Sequence, residues 1–260
     1  MSVTEELLEF AYCPFQRYES LSHLAVEENW GPDNRILRNY CVFTFKRAAQ
    51  LFNRDERNGH EHRSLLIEDG AYACFDTGLY TARYECIYAY FEPNSNASAR
   101  QAWFLKGFYK TSDPALSHLD DLPARVRYTD SPADLIYDFN LRIRVNIDHI
   151  LGDAENLSRI PPMLQGEQNS LLLHRVFEGA VAEAERRATA NYMLAVPQYY
   201  NGRIQLLLPL CLTGDKPELA LAIQREDGYY AARTCLTIEM AYNNARLINK
   251  PEASWICPVA

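Results

Sequence analysis

With 260 residues, 48% of them hydrophobic and 23% charged, the chain has the make-up of a globular protein large enough to bury a core without metal or disulfide staples. That composition excludes a disordered, collagenous or coiled-coil chain as the main state. The 34 acidic against 26 basic side chains leave a net charge of −8, so the molecule as a whole repels phosphates, and any nucleic-acid binding needs a local basic patch.

The first ten residues, MSVTEELLEF, carry three glutamates and no basic start, which argues against a signal peptide. No apolar run approaches the roughly 20 residues of a membrane helix. Seven cysteines, an odd number with no CxxC pair, read as reduced, mostly buried small hydrophobes. A cytoplasmic location without membrane attachment is the expectation.

Residues 1–34 read as an irregular helical lead-in ending at Gly31-Pro32, with Asp33 or Asn34 placed to cap the next helix. Leu37, Cys41, Phe45, Ala48 and Phe52 recur at helical spacing and predict that helix over 35–52. The polar run 53–63, with Gly59, predicts a loop. Aromatic and aliphatic runs bounded by Gly, Pro, Asn or Ser then predict strands over 64–67, 71–79, 85–91 and 102–110. The proline- and aspartate-rich stretch 111–167 reads as connecting structure and the place for a join. Leu173, Phe177, Ala180, Val181, Ala184 and Ala188 make an apolar stripe that predicts a helix within 169–193. Strands over 195–200, 203–212, 218–226 and 229–236 come next, with Asn201-Gly202 and Asp227-Gly228 as hairpin turns, and a last helix over 237–249. The order, one long helix then about four strands, occurs twice. The expected fold class is therefore α+β: two helix-plus-antiparallel-sheet halves, 1–130 and 131–260, with a pseudo-repeat or one compact domain as variants of the same reading.

The sequence lacks a Walker loop, a dinucleotide fingerprint, a nucleophile elbow and an HExxH zinc motif. His60-Glu61-His62 could share a metal on an extended chain, but a solvated loop is the stronger reading. Asp76-Thr77-Gly78 is either a sheet-rim carboxylate and hydroxyl or a turn. On a strand, Arg142, Arg144, Asn146 and Asp148 would share one face, and the two guanidiniums would suit phosphate or a local aspartate. Gln198, Tyr199, Tyr200 and Arg203 flank a tight turn, where rings stack on bases, amides read edges and guanidinium holds phosphate; cross-strand packing of the tyrosines explains them as well. Asn243 and Asn244 sit in a helix they disfavour; Asn243 and Arg246 are three residues apart and, with Arg233, could line a polar pocket or form an internal network.

The stretches FDTGLYT (75–81), CIYAYF (86–91), NYMLAVPQYYNGRIQLLL (191–208) and TCLTIEMAYNNARL (234–247), with PFQRYESLSHLAVEENW (14–30), resemble the OST-HTH-associated domain family, over nearly the whole chain. The resemblance implies a domain of unknown function found beside RNA-binding modules, with RNA binding proposed on that ground and no catalytic residues to carry over.

The functional expectation is binding of RNA or a nucleotide-containing ligand by Arg233, Asn243, Arg246, Gln198, Tyr199, Arg203, Arg142 and Arg144, without a cofactor. A phosphodiesterase-like enzyme, with His149, Asp76 or Glu239 as acid or base, is the alternative and the one case that would call for a divalent metal. A protein-interaction adaptor is the third reading, and self-association as a homodimer is left open beside it.

Overall fold

The computed structural model describes residues 2–68, 70–96 and 98–258. The chain divides between Arg127 and Tyr128 into two compact units, each built of helices and one five-stranded sheet, so the molecule is α+β.

The first unit runs α1 (Leu7–Phe10), β1 (Ala11–Tyr12), α2 (Phe15–Leu24), α3 (Arg35–Asn58), β2 (Leu65–Glu68), β3 (Tyr72–Tyr80), β4 (Cys86–Pro93) and β5 (Trp103–Lys110). Its sheet has the order β1-β5-β4-β3-β2; β1 lies parallel to β5 and the rest form an antiparallel meander. Cys41, Phe45 and Ala48 of α3 are fully buried, as the periodicity requires. The helix outruns its predicted end by six residues: Arg54–Arg57 are adequate helix formers, and Gly59, at φ 66°, supplies the left-handed stop. Asn53, predicted to begin a loop, instead accepts from the Val3 N–H at 2.8 Å and donates to Val3 O at 2.9 Å. Neither Asp33 nor Asn34 caps α3; both adopt left-handed backbone, and Asn34 makes no side-chain cap bond.

The second unit runs β6 (Arg142–Val145), α4 (Ile147–Gly152), α5 (Ala154–Arg159), α6 (Ser170–Ala190), β7 (Val196–Tyr200), β8 (Arg203–Leu210), β9 (Leu219–Glu226), β10 (Tyr229–Thr237) and α7 (Ile238–Arg246). The order β6-β10-β9-β8-β7, with β6 parallel to β10 and an antiparallel meander beyond, repeats the connectivity of the first sheet. The stretch expected as plain connection thus supplies an edge strand and two short helices. Only Arg142 and Arg144 of the predicted alternation are on the strand; the Asn146 side chain accepts from the His149 N–H at 3.1 Å and caps α4, which carries Asp148 and His149 away from it.

Leu206, Leu208 and Leu210 of β8 and Leu219, Leu221 and Ile223 of β9 meet Leu173, Phe177 and Ala184 of α6 in one core. The alternate residues, Leu207, Ala220 and Ala222, face the other way and are buried too. Both faces are covered there, which is why these strands read as continuous apolar runs. Two alanines leave room for α7, whose Ala241, Tyr242 and Ala245 are buried, to pack against β7, β9 and β10. Asn201 (φ 48°) and Gly202 (φ 81°) form a two-residue turn of the expected left-handed kind, whereas at Asp227-Gly228 only the glycine has positive φ. All seven cysteines are free; Cys41, Cys74 and Cys235 are buried, while Cys257 is exposed. Among the described residues no helix is long and apolar enough to cross a membrane.

Candidate nucleic-acid interface

Residues opposite one another in a ladder share a face. In the second sheet, Arg142 lies opposite Tyr229 and Arg144 opposite Ala231; Tyr229 lies opposite Glu226 and Ala231 opposite Gln224. Gln198 lies opposite Gln205, and Tyr200 opposite Arg203. These side chains occupy the face that α7 covers over its apolar end, and they form the end α7 leaves open. Arg142, Arg144, Arg203 and the bulged Arg233 are exposed, and Tyr200 is 51% exposed. The Arg144 guanidinium sits 4.1 Å from the Tyr229 ring centroid, a cation–π contact that holds it upright. Among the described strand residues of this face, Glu226 is the one carboxylate, and it binds Arg233 at 3.1 Å. Arg142, Arg144 and Arg203 have no carboxylate partner among the described residues, so the face is basic within an acidic molecule.

The floor of this face is a chain of amides. Asn244 Nδ2 donates to Gln198 Oε1 at 3.0 Å, Gln198 Nε2 to Gln205 Oε1 at 2.8 Å, and Gln205 Nε2 to Gln224 Oε1 at 3.4 Å. Gln224 Nε2 then donates to Glu226 Oε1 at 3.0 Å, the same oxygen that accepts from Arg233. Every bond runs the same way because the last acceptor, a carboxylate, has no proton to give. The chain pins α7 to the sheet and fixes Glu226 beneath Arg233.

The expected ligand set is therefore divided. Arg142, Arg144, Arg203 and Arg233 come together on one open face. Gln198, 1% exposed, is spent inside the amide chain and is unavailable to a ligand. Arg246, 7% exposed, is buried with the inner side of α7, because the helix phase that joins it to Asn243 turns that side toward the protein. Asn243 is half-buried, and its Oδ1 is enclosed without a hydrogen-bond donor. Tyr199 lies opposite Ile204, on the other side of the sheet, with its ring 4.7 Å from that of Tyr128; Tyr200 takes its place on the basic face. Sequence reasoning missed Tyr229, Gln205, Gln224 and Glu226; it names Tyr200 beside Tyr199 without placing it in the ligand set, and the internal network it allows for the last helix runs through Asn244.

The other candidates are engaged locally. His62 Nε2 lies 2.8 Å from Glu56 Oε2 and its ring stacks on Phe52 at 4.0 Å; no cluster of three metal-ligating side chains occurs among the described residues. Asp76 accepts from the Gly78 N–H at 2.7 Å in a bulge of β3, and Thr77 donates to Ile87 O at 2.6 Å. Burial pushes the Asp76 carboxyl up, opposed by the Gly78 N–H and by Arg125. Glu239 lies on α7, and His149 lies on α4, which packs with α6 on the opposite side of the sheet, so they do not meet.

A domain of unknown function (DUF3825) matches residues 21–255, and the chain belongs to that family. No curated protein matches, and no solved structure matches. The family match carries no link to the OST-HTH-associated domain or to RNA.

Proposed function

We propose that this DUF3825 chain binds single-stranded RNA on the open sheet face of its second unit. One observation carries the reading: three exposed arginines, Arg142, Arg144 and Arg203, stand on one face with no carboxylate among the described residues to neutralise them, in a chain whose net charge is −8. Guanidiniums on a sheet hold a phosphate backbone, and the exposed Tyr200 ring offers a base a surface on which to stack, as does the Tyr229–Arg144 pair through its guanidinium plane. A double helix is the poorer guest, since the rings reward only bases that are unstacked.

The test is fluorescence anisotropy with a labelled single-stranded RNA at two salt concentrations. Arg142→Ala with Arg144→Ala lowers affinity at least about tenfold and reduces the salt slope by about 1.4, the loss of two single-strand phosphate contacts. Unchanged affinity and slope in a variant with wild-type circular dichroism would sink the reading. Arg246 is unsuited to this experiment, because a buried arginine reports on folding.

A further inference from the structure

On the reverse side of the sheet from the basic face, at the β7–β8 hairpin, the second unit holds a cavity of about 340 Å³ lined by Tyr128, Thr129, Asp134, Arg203, Arg225, Tyr230 and the apolar Ile204, Leu206 and Ile223. That volume lies at the small end of ligand pockets, which run from about 300 Å³. Its apolar wall is a strand surface and its polar groups are few and convergent.

Two of those groups are already committed. Arg225 Nη2 binds Asp138 Oδ2 at 3.1 Å, and the Tyr230 hydroxyl accepts from the Asp138 N–H at 2.9 Å. Asp134 is different. Thr129 Oγ1 donates to its Oδ2 at 2.7 Å, which sets the carboxylate's orientation, while Oδ1 has no donor among the described residues. A carboxylate has about four lone-pair positions, so three remain for a guest.

We infer that this cavity is a guanine-selective base site, with Asp134 as its specificity residue; the inference rests on the RNA reading of the same unit and names the base. An ionised carboxylate accepts only. Guanine alone among the RNA bases presents two adjacent donors, N1–H and the 2-amino group, on its Watson–Crick edge. Adenine and cytosine place a ring-nitrogen acceptor beside their amino group, and uracil flanks its one N–H with carbonyls, so each sets a lone pair against the carboxylate. Half-buried Ile204, with the buried Leu206 and Ile223 behind it, takes the base plane. Arg203, at the turn, lines the cavity and also belongs to the basic face, and is the cation assigned to the attached phosphate.

Guanosine monophosphate is the probe, titrated calorimetrically against adenosine and inosine monophosphates. The guanine nucleotide binds at least about tenfold more tightly than the adenine one, the discrimination a good bidentate pair supplies. Inosine monophosphate, which lacks only the 2-amino group, also binds more weakly, a comparison that needs no variant. Asp134→Asn removes the preference. Equal binding of the three nucleotides, or a preference that survives in Asp134→Asn, overturns the inference. RNA binding without base preference leaves the basic face standing and removes the guanine site. Guanine-nucleotide binding without RNA binding does the reverse, and absence of both removes both.

Discussion

Burial holds the Asp76 carboxyl above its ordinary 3.8, because the Gly78 N–H and Arg125 only partly offset the lost hydration. The folded protein therefore keeps this proton more tightly than the unfolded chain does. The stability it contributes is complete below the unfolded value and is lost as pH rises through the higher folded one. Asp76→Asn keeps a carbonyl for the Gly78 N–H and removes the titration. Urea midpoints measured from about pH 4 to about pH 7 should fall less steeply with pH in the variant than in the wild type; parallel profiles would show that Asp76 has no such part. Gly78 itself, at φ +74°, has no room to change: a Cβ there would lie 2.7 Å from the Tyr40 hydroxyl. This bulge was legible only as a turn-like triplet, since nothing local says that the carboxylate is enclosed.

The β7–β8 hairpin shows how far sequence carries an element. Asn201-Gly202 announces a two-residue turn, and counting outward from it by equal steps pairs Gln198 with Gln205, as the structure does. The first link of the amide chain was thus legible from the turn. Gln224 and Glu226 were not, because the longer connection between β8 and β9 fixes no register in advance. Likewise the phase of α7 gives Asn243 and Arg246 a shared side, but which side the sheet covers is decided by Ala220 and Ala222, residues too bland to signal it. The two-residue β1 leaves no pattern at all. Gln198→Leu tests the chain: it strands the Asn244 amide and the Gln205 carbonyl and should cost about 1–3 kcal/mol in urea unfolding. A cost near zero would mean that water replaces the amide without loss.

At the scale of the molecule, two sheets of like connectivity carry unlike surfaces. On the first sheet Lys106 pairs with Glu92 at 3.0 Å and Lys110 with Glu85 at 2.9 Å, so its cations are neutralised where they stand. On the second sheet three arginines have no such partners among the described residues. Lys106→Ala with Lys110→Ala should accordingly leave RNA affinity within about twofold of wild type, and a loss matching that of the arginine pair would mean the basic face has been placed in the wrong unit. The parallel edge strands set a further condition, on the order of events during synthesis. Ala11 pairs with Trp103 and Arg142 with Tyr229, so in each unit an early strand waits for the last one to leave the ribosome before its sheet can close. The first unit has its full set of strands before any strand of the second exists, and a stall after residue 110 would release one finished sheet rather than two halves of an unfinished one.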